Sequence, residues 1–242
     1  MKNILDIKNL SYSFGSNPIL KDINIHVNEN EMVAIVGSSG VGKSTLFNLI
    51  AGVLKKQTGE ITINGSDDYI GKVAYMLQKD LLFEHKTIIN NVILPLIIAK
   101  IDKKEALEEG NKILKQFNLD KYANKYPQQL SGGMRQRVAL IRTYMFKRNI
   151  FLLDEAFSAL DAITKKELHK WYLDLKKEFN LTTLLITHDI EEAVFLSDRI
   201  YILGNKPGEI IGEIKIEINP NEDIDVQRLF YKKEILNIMN IE

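Results

Sequence analysis

The segment Gly37 to Thr45, GSSGVGKST, constrains this chain more strongly than any other part of its sequence. It fits the phosphate-binding pattern G-x-x-x-x-G-K-[ST], with Gly37, Gly42, Lys43 and Ser44 at the fixed positions. Glycine allows the backbone to form a loop whose N–H groups point inward at phosphate oxygens, an approach that a side chain would block. The lysine then reaches the β- and γ-phosphates, and the serine hydroxyl is placed for Mg²⁺. We therefore predict that this loop binds a nucleotide.

The flanking sequence supplies the context that such a loop requires. Glu31 to Val36, EMVAIV, is typical of a short buried strand, and Leu46 to Leu54 continues with helical spacing, so the dipole of a helix adds to the phosphate site. The alternative is a Gly/Ser-rich turn that matches by accident, expected in about one chain of this length in a hundred. The predicted phosphate-binding residues are Gly37, Ser38, Ser39, Gly40, Val41, Gly42, Lys43, Ser44 and Thr45.

Composition is that of an ordinary soluble globular protein. Hydrophobic residues make up 45% of the 242, and 32 basic residues balance 32 acidic ones, which gives no general argument for nucleic acid as a partner. Cysteine is absent, which excludes disulfides and thiolate metal sites. The N-terminus lacks the apolar core of a signal peptide, and the apolar stretch Ile88 to Ile101 is too short to span a bilayer. We expect a cytoplasmic chain that reaches a membrane only through a partner.

The N-terminal part predicts two antiparallel strands. Alternating apolar residues run from Ile4 to Val27 on either side of a turn at Gly15 to Pro18. Tyr12 and Phe14 share one face of the first strand, where an aromatic ring either joins the core or stacks on a nucleotide base. From the residues alone, the core is the favoured position for both.

Polar residues follow several of the predicted buried strands. They are Gln78 after VAYM, Asp154 and Glu155 after IFLL, and Thr187, His188 and Asp189 after LTTLLI. Ligand contacts gather at the carboxyl ends of strands in open α/β sheets. Paired carboxylates there are costly to bury unless they meet a cation, and the Mg²⁺ of a nucleotide is the obvious one. The histidine is a candidate phosphate sensor.

The segment Leu130 to Met134, LSGGM, opens a helix after the break at Pro127. Ser131 has the chemistry of an N-cap, and two glycines leave the backbone N–H groups uncovered. A capped loop would account for the serine alone, but it accounts less well for the paired glycines. This segment is therefore a second candidate anion site.

These motifs, in this order, resemble the ATPase subunits of ATP-binding cassette (ABC) transporters over nearly the whole chain. The resemblance rests on the phosphate loop, Gln78, LSGGMRQR from Leu130, LLDEAFSALD from Leu152, and His188. Two departures, Met134 in place of the usual Gln and Ala156 in place of the usual Pro, remove no phosphate or metal contact.

The resemblance implies a role for each motif residue, with ATP and Mg²⁺ as cofactors. Phe14 would stack on adenine, and this ranks it above Tyr12. Ser44, Gln78 and Asp154 would contact Mg²⁺. Glu155 would polarise the attacking water, with His188 at the γ-phosphate and Gln78 also sensing the membrane partner. Ser131, Gly132 and Gly133 would bind the γ-phosphate of the nucleotide that is held by the opposite subunit. Asp161 would cross the same interface.

The resemblance also implies an α/β fold: a P-loop NTPase core with a mainly parallel sheet, an N-terminal antiparallel β lobe and an inserted α-helical subdomain. We assign the core to residues 1–85 and 149–218, the helical subdomain to residues 86–148, and a C-terminal helical tail to residues 219–242.

The implied function is that of an ATPase that drives a transporter from the cytoplasmic face of the membrane. The expected partners are a second copy of the chain in the ATP-bound state, integral permease subunits and, indirectly, an extracytoplasmic solute-binding protein, with no nucleic acid. Residues 81–85 and the segment to Leu96 are expected to dock the permease. The closest resemblance within the family is to importers of nitrate, sulfonate and taurine. The alternatives are an exporter ATPase, a soluble cassette ATPase acting on ribosomes or DNA, and a phosphate-loop kinase, which would not need LSGGM.

Overall fold

The fold is described from a computed structural model, which covers residues 2–158 and 160–240. The predicted core begins at residue 1 and the predicted C-terminal tail ends at residue 242. Residues 1, 241 and 242 of these two ranges lie outside the residues that the structure describes. The strands are β1 (Asn3–Phe14), β2 (Asn17–Asn28), β3 (Met32–Val36), β4 (Thr58–Ile63), β5 (Val73–Met76), β6 (Ile150–Asp154), β7 (Thr182–Thr187), β8 (Arg199–Gly204) and β9 (Glu209–Lys215). The α-helices are α1 (Lys43–Ile50), α2 (Ile88–Val92), α3 (Leu94–Ile98), α4 (Lys103–Gln116), α5 (Gly132–Tyr144), α6 (Ala162–Phe179), α7 (Ile190–Leu196) and α8 (Ile224–Ile238).

The strands form two sheets. In the smaller sheet β1 lies between β2 and β4 and is antiparallel to both, as the alternating N-terminal pattern predicts. The larger sheet has the order β5-β6-β7-β3-β8-β9, and all its strands are parallel except β9, which is antiparallel to β8. The predicted α/β fold with an antiparallel lobe is therefore confirmed.

The larger sheet is buried on both faces, which explains the continuous apolar runs of its strands. Along β6, Phe151 and Leu153 pack into a core formed with the helices α2 to α6. The alternate residues Ile150 and Leu152 pack into a second core, shared with α1 and the smaller sheet. Successive strand side chains point to opposite faces, so Asp154 lies on the α1 side of the sheet.

The helices α2 to α5 lie between β5 and β6 in the chain. The helix α4 begins after Asp102, whose carboxylate accepts hydrogen bonds from the backbone N–H groups of Lys104 and Glu105. Gly110 faces α2, where an added Cβ would lie 2.4 Å from Cγ2 of Ile93. This close approach explains a glycine in the middle of the helix.

The first helix differs from its prediction. It begins at Lys43 and ends at Ile50, rather than spanning Leu46 to Leu54. Gly52 takes a left-handed backbone with φ +74°, which ends the helix, and Val53 beyond it is exposed. The C-terminal helix α8 lies within the range 219–242 assigned to the tail, and Asp223 caps its first turn.

Candidate nucleotide and catalytic site

The phosphate loop connects the end of β3 to the start of α1. Gly40 and Gly42 take left-handed backbones, with φ of +77° and +113°. Gly37 passes so close to β8 that an added Cβ would lie 2.3 Å from the carbonyl oxygen of Leu203. No side chain caps the N-terminus of α1, so its first backbone N–H groups face the loop without a side-chain partner. Ser38, Ser39, Gly40 and Ser44 are exposed at the mouth of the loop.

Lys43 lies inside this loop. Its Nζ donates hydrogen bonds of 2.9 Å to the carbonyl oxygens of Gly37 and Ser38. Burial lowers the pKa of Lys43, while the charges of Glu155 and Asp154 act in the opposite direction. The loop thus holds a buried cation, which is the charge that pairs with a phosphate group.

Asp154 ends β6 and is almost fully buried. The phenol hydroxyl of Tyr75 donates a 3.1 Å hydrogen bond to its Oδ2. Burial raises the pKa of Asp154, and hydrogen bonds from the hydroxyls of Tyr75 and Ser44 oppose that rise. The sequence did not reveal Tyr75 as part of this site, since it resembles any other residue of an apolar strand.

Glu155 has a strained backbone and two side-chain partners. Its φ of +47° is uncommon for a residue other than glycine, and its N–H donates a 2.9 Å hydrogen bond to the carbonyl oxygen of Ile186. Gln78 Nε2 donates to Glu155 Oε2 over 3.0 Å, and His188 Nδ1 lies 3.3 Å from Glu155 Oε1. The neighbouring strands β5, β6 and β7 therefore bring the three predicted residues together.

The second candidate anion site lies at the start of α5. Ser131 is its N-cap and accepts a 3.4 Å hydrogen bond from the backbone N–H of Met134. Gly133 packs against α6, where an added Cβ would lie 2.5 Å from Cγ2 of Thr164. Asp161 caps α6 by accepting from the N–H groups of Ile163 and Thr164. Within residues 2–158 and 160–240, no hydrogen bond or ion pair joins this site to the phosphate loop.

A family model described as ABC transporter matches residues 20–158, which include the phosphate loop, the segment LSGGM at Leu130 to Met134, and the carboxylates of Asp154 and Glu155. The chain belongs to the ABC transporter family. It is an ATP-binding subunit with ATPase activity that is coupled to transport. The soluble non-transport ATPase and the kinase are thereby set aside.

Two relatives and one solved structure show that the similarity extends over most of this ABC ATPase. The formylaminopyrimidine import ATP-binding protein ThiZ of Halalkalibacterium halodurans is 39% identical and covers 97% of the chain and 96% of its own length. The nitrate import ATP-binding protein NrtD of Synechocystis is 37% identical, over 93% of the chain and 87% of its own length. A solved post-hydrolysis dimer of the ATP-binding cassette MJ0796 bound to ADP and Pi has a TM-score of 0.74 and 32% identity, over 89% of this chain and all of that one.

The aromatic pair of β1 is split between core and surface in this ABC ATPase. Tyr12 is 8% exposed, whereas Phe14 is 52% exposed and packs edge-on against the tyrosine ring with a centroid distance of 5.0 Å. The expectation from residues alone, that both lie in the core, is wrong for Phe14. An exposed ring next to the turn at Gly15 is free to stack on a base.

The segment after Gln78 is anchored from the helical region. Arg142 on α5 donates hydrogen bonds to the carbonyl oxygens of Asp80, over 2.5 Å, and Leu81, over 2.7 Å. The fully buried Asn91 on α2 accepts from the N–H of Phe83 and donates to its carbonyl. Sequence analysis missed both anchors, because their partners are backbone atoms.

The same anchors decide which side chains face outward. In the segment 81–85 that is expected to dock the permease, Leu82 is buried in the core of the helical region and therefore cannot contribute to a surface. Leu81 is 51% exposed and Phe83 is 42% exposed. Within residues 2–158 and 160–240, no helix has the length and apolar character needed to cross a bilayer.

Proposed function

We propose that this chain is the ATP-hydrolysing subunit of an ABC importer and acts as a head-to-tail homodimer on a separate membrane permease. The observation that carries the proposal is the contact of Gln78 and His188 with the Glu155 carboxylate, beside a phosphate loop that holds Lys43. In this arrangement a carboxylate contacts two polar side chains, and a cation lies in the neighbouring loop. Phosphoryl transfer to water needs mainly this kind of positioning and charge neutralisation.

The residues at the loop fit Mg²⁺. The donors available are oxygens, from the Ser44 hydroxyl, the Asp154 carboxylate and the Gln78 amide, and Mg²⁺ prefers oxygen ligands with one or two carboxylates plus substrate phosphates. Ser44 and Asp154 would hold the ion, with Asp154 acting through water. The ion would supply charge neutralisation at the β- and γ-phosphates.

Each side chain then has one task in hydrolysis. Lys43 exchanges its bonds to the carbonyl oxygens of Gly37 and Ser38 for bonds to phosphate oxygens. Glu155 accepts a proton from the attacking water, because each of its carboxylate oxygens keeps a lone pair beside its contact with Gln78 or His188. His188, whose side chain is 61% exposed, contacts the γ-phosphate. Phe14 stacks on the adenine.

The second candidate anion site, at the start of α5, completes the active site of a second copy. Ser131 is exposed there and Gly132 is half-buried, and among the described residues no hydrogen bond joins this site to the phosphate loop of its own chain. A helix N-terminus binds anions, so the γ-phosphate held by a facing subunit is a suitable ligand. Asp161, which is exposed beside this site, crosses the same interface.

The docking surface for the permease consists of Leu81 and Phe83, with His85 stacked edge-on against the phenylalanine ring. Its backbone is fixed by Arg142 and Asn91, and it continues directly from Gln78. Gln78, which contacts Glu155, is therefore joined to this surface by one short segment of chain. A short helix of the permease is the partner that such a surface fits.

The transported solute is a small polar or anionic compound. Support comes from the import proteins for formylaminopyrimidine and nitrate, which match nearly the whole chain. Specificity would lie in the permease and in an extracytoplasmic solute-binding protein, and the ATPase would be held at the cytoplasmic face by the permease. Export is the second candidate.

The proposal is tested with the purified chain and with membranes that contain its permease. We expect MgATP hydrolysis, ATP-dependent dimerisation and solute uptake that depends on both. A chain that hydrolyses ATP at full rate as a monomer would overturn the shared-site mechanism. ATP-dependent accumulation of the solute inside inverted membrane vesicles would overturn import.

A further inference from the structure

Tyr75 is placed by the pairing of β5 with β6. In the parallel register Tyr75 lies next to Leu152, and Asp154 follows two residues later on the same face of β6. Side chains two residues apart on a strand share a face, so the tyrosine ring and the carboxylate both lie on the α1 side of the sheet. Val73 shares that face, whereas Ala74 and Met76 are buried among the helices of the other face.

The ring of Tyr75 is fixed by packing. It meets the ring of the fully buried Phe47 edge-on, with a centroid distance of 5.9 Å and an interplanar angle of 81°. Phe47 belongs to α1, the helix whose first residues are Lys43 and Ser44. The hydroxyl of Tyr75 is thus held in a constant position relative to the phosphate loop.

That hydroxyl donates to Oδ2 of Asp154 over 3.1 Å. A donor on one oxygen fixes the rotation of a carboxylate about its Cβ–Cγ bond, so the other oxygen keeps one direction. Side chains that hydrogen-bond to metal ligands orient those ligands, and losing them costs roughly 10- to 100-fold in metal affinity or activity. Phenylalanine would fill the same volume without providing the donor.

We propose that Tyr75 is a positioning residue for the Mg²⁺ of the bound nucleotide and acts by orienting Asp154. The inference rests on the proposed function, in which Asp154 holds the ion. It adds a residue within β5 to a site whose proposed oxygen donors are Ser44, Asp154 and Gln78. The proposal distinguishes two properties of the site. Tyr75 does not influence the affinity for ATP alone, but it does influence the gain in affinity that Mg²⁺ confers.

The test measures binding of a fluorescent ATP analogue in EDTA and along a titration with MgCl₂, so that no turnover is needed. For Tyr75→Phe we expect unchanged affinity in EDTA and a half-saturating Mg²⁺ concentration raised about 10-fold. Tyr201→Phe is the matched control, because it deletes a phenol hydroxyl that contacts His26 on β2, away from the phosphate loop. It should leave both quantities unchanged. Thermal unfolding without nucleotide checks that both variants fold.

Asp154→Asn separates failure of the inference from failure of the proposed function. If Asp154→Asn loses the Mg²⁺ response while Tyr75→Phe keeps the wild-type response, Tyr75 is not a positioning residue and the magnesium site stands. If Asp154→Asn also keeps the wild-type response, the assignment of Asp154 to Mg²⁺ is wrong. A Tyr75→Phe variant that loses affinity equally in EDTA would show that the hydroxyl supports the loop and not the metal.

Discussion

The side-chain amide of Gln78 donates a hydrogen bond to Oε2 of Glu155 over 3.0 Å, joining residues that are 77 positions apart in the chain. The other oxygen of the same carboxylate lies 3.3 Å from Nδ1 of His188. The Glu155 carboxylate follows β6, and it therefore contacts one side chain beyond β5 and one beyond β7, the two strands that flank β6. Gln78 also begins the segment that exposes Phe83, so this bond connects the proposed catalytic base to the proposed permease surface.

Glu155→Gln should cut ATP turnover by about 10²-fold or more while leaving nucleotide affinity intact. The amide keeps the size of the side chain but accepts no proton from the attacking water. Phosphate release and ATP binding are measured separately. Glu217→Gln, at an exposed glutamate paired with Lys215, should change neither quantity. A fully active Glu155→Gln enzyme would remove Glu155 from the mechanism.

Lys43→Ala should weaken MgATP binding by about 10- to 100-fold, since a hydrogen bond to a charged group contributes roughly 1.5–3 kcal/mol. Isothermal titration calorimetry measures this affinity. Lys176→Ala is the matched control, because Lys176 is also a lysine whose pKa is lowered by burial and whose Nζ donates to a backbone carbonyl, that of Asn30. We expect it to keep its ATP affinity. Equal losses in both variants would count against a phosphate contact for Lys43.

Phe83→Asp should abolish copurification with the permease and solute uptake, and basal ATP hydrolysis should survive. The reason is that a carboxylate in an apolar docking surface would have to be buried without a partner. Phe146→Asp is the control, since Phe146 is 45% exposed and follows the end of α5. If Phe83→Asp still assembled with the permease, the docking surface would lie elsewhere.

ATP should shift a Glu155→Gln protein from monomer to dimer in sedimentation velocity, and ADP should not. The bound nucleotide contributes its binding free energy to the dimer by mass action. Ser131→Arg should block this shift by placing a bulky cation in the γ-phosphate pocket. Mixing Ser131→Arg with Lys43→Ala chains, both with Glu155 unchanged, leaves one composite site intact in their heterodimer, so the mixture should regain ATPase activity that neither variant has alone. No regain of activity in the mixture would contradict the shared site.

Asp189→Asn should lower the free energy of unfolding by about 1 kcal/mol at pH 7. Although burial acts to raise the pKa of Asp189, the 2.7 Å bond from Lys165 and the backbone N–H of Glu192 hold that pKa below its ordinary value. A carboxyl whose pKa is lower in the folded state stabilises the fold above its unfolded pKa of about 3.9 and loses that contribution as the pH falls through the lowered value.

The difference in stability between wild type and Asp189→Asn should therefore be constant from pH 7 to about pH 5 and vanish in acid. Asparagine still caps α7, so the variant removes the ion pair alone. Denaturant unfolding across this pH range measures the difference. Asp225→Asn, at a carboxylate that is 93% exposed, should show no difference at any pH. If the difference in stability between wild type and Asp189→Asn persisted at low pH, it would be due to packing and not to the charge of Asp189.

Local sequence predicted most of the elements of this protein. The phosphate loop, the strand at Val73–Met76 and the helix after Asp223 follow from residue types within a few positions of each other. Their conformations depend on neighbours in the chain: positive φ at glycine, apolar runs in buried strands and a carboxylate at an N-cap. The order of the motifs was enough to indicate the family.

Only the tertiary structure decided which distant side chains meet. The order β5-β6-β7 places Gln78, Glu155 and His188 together, and the register of β5 on β6 brings the Tyr75 hydroxyl to Asp154, 79 positions away. The contact of Arg142 with Leu81, 61 positions apart, turns Leu81 outward and leaves Leu82 in the core. Sequence patterns report the spacing of residues along one element. Strand order, register and side-chain contacts with backbone atoms depend on how the elements pack, because each is set by the shape and burial of residues far apart in the chain.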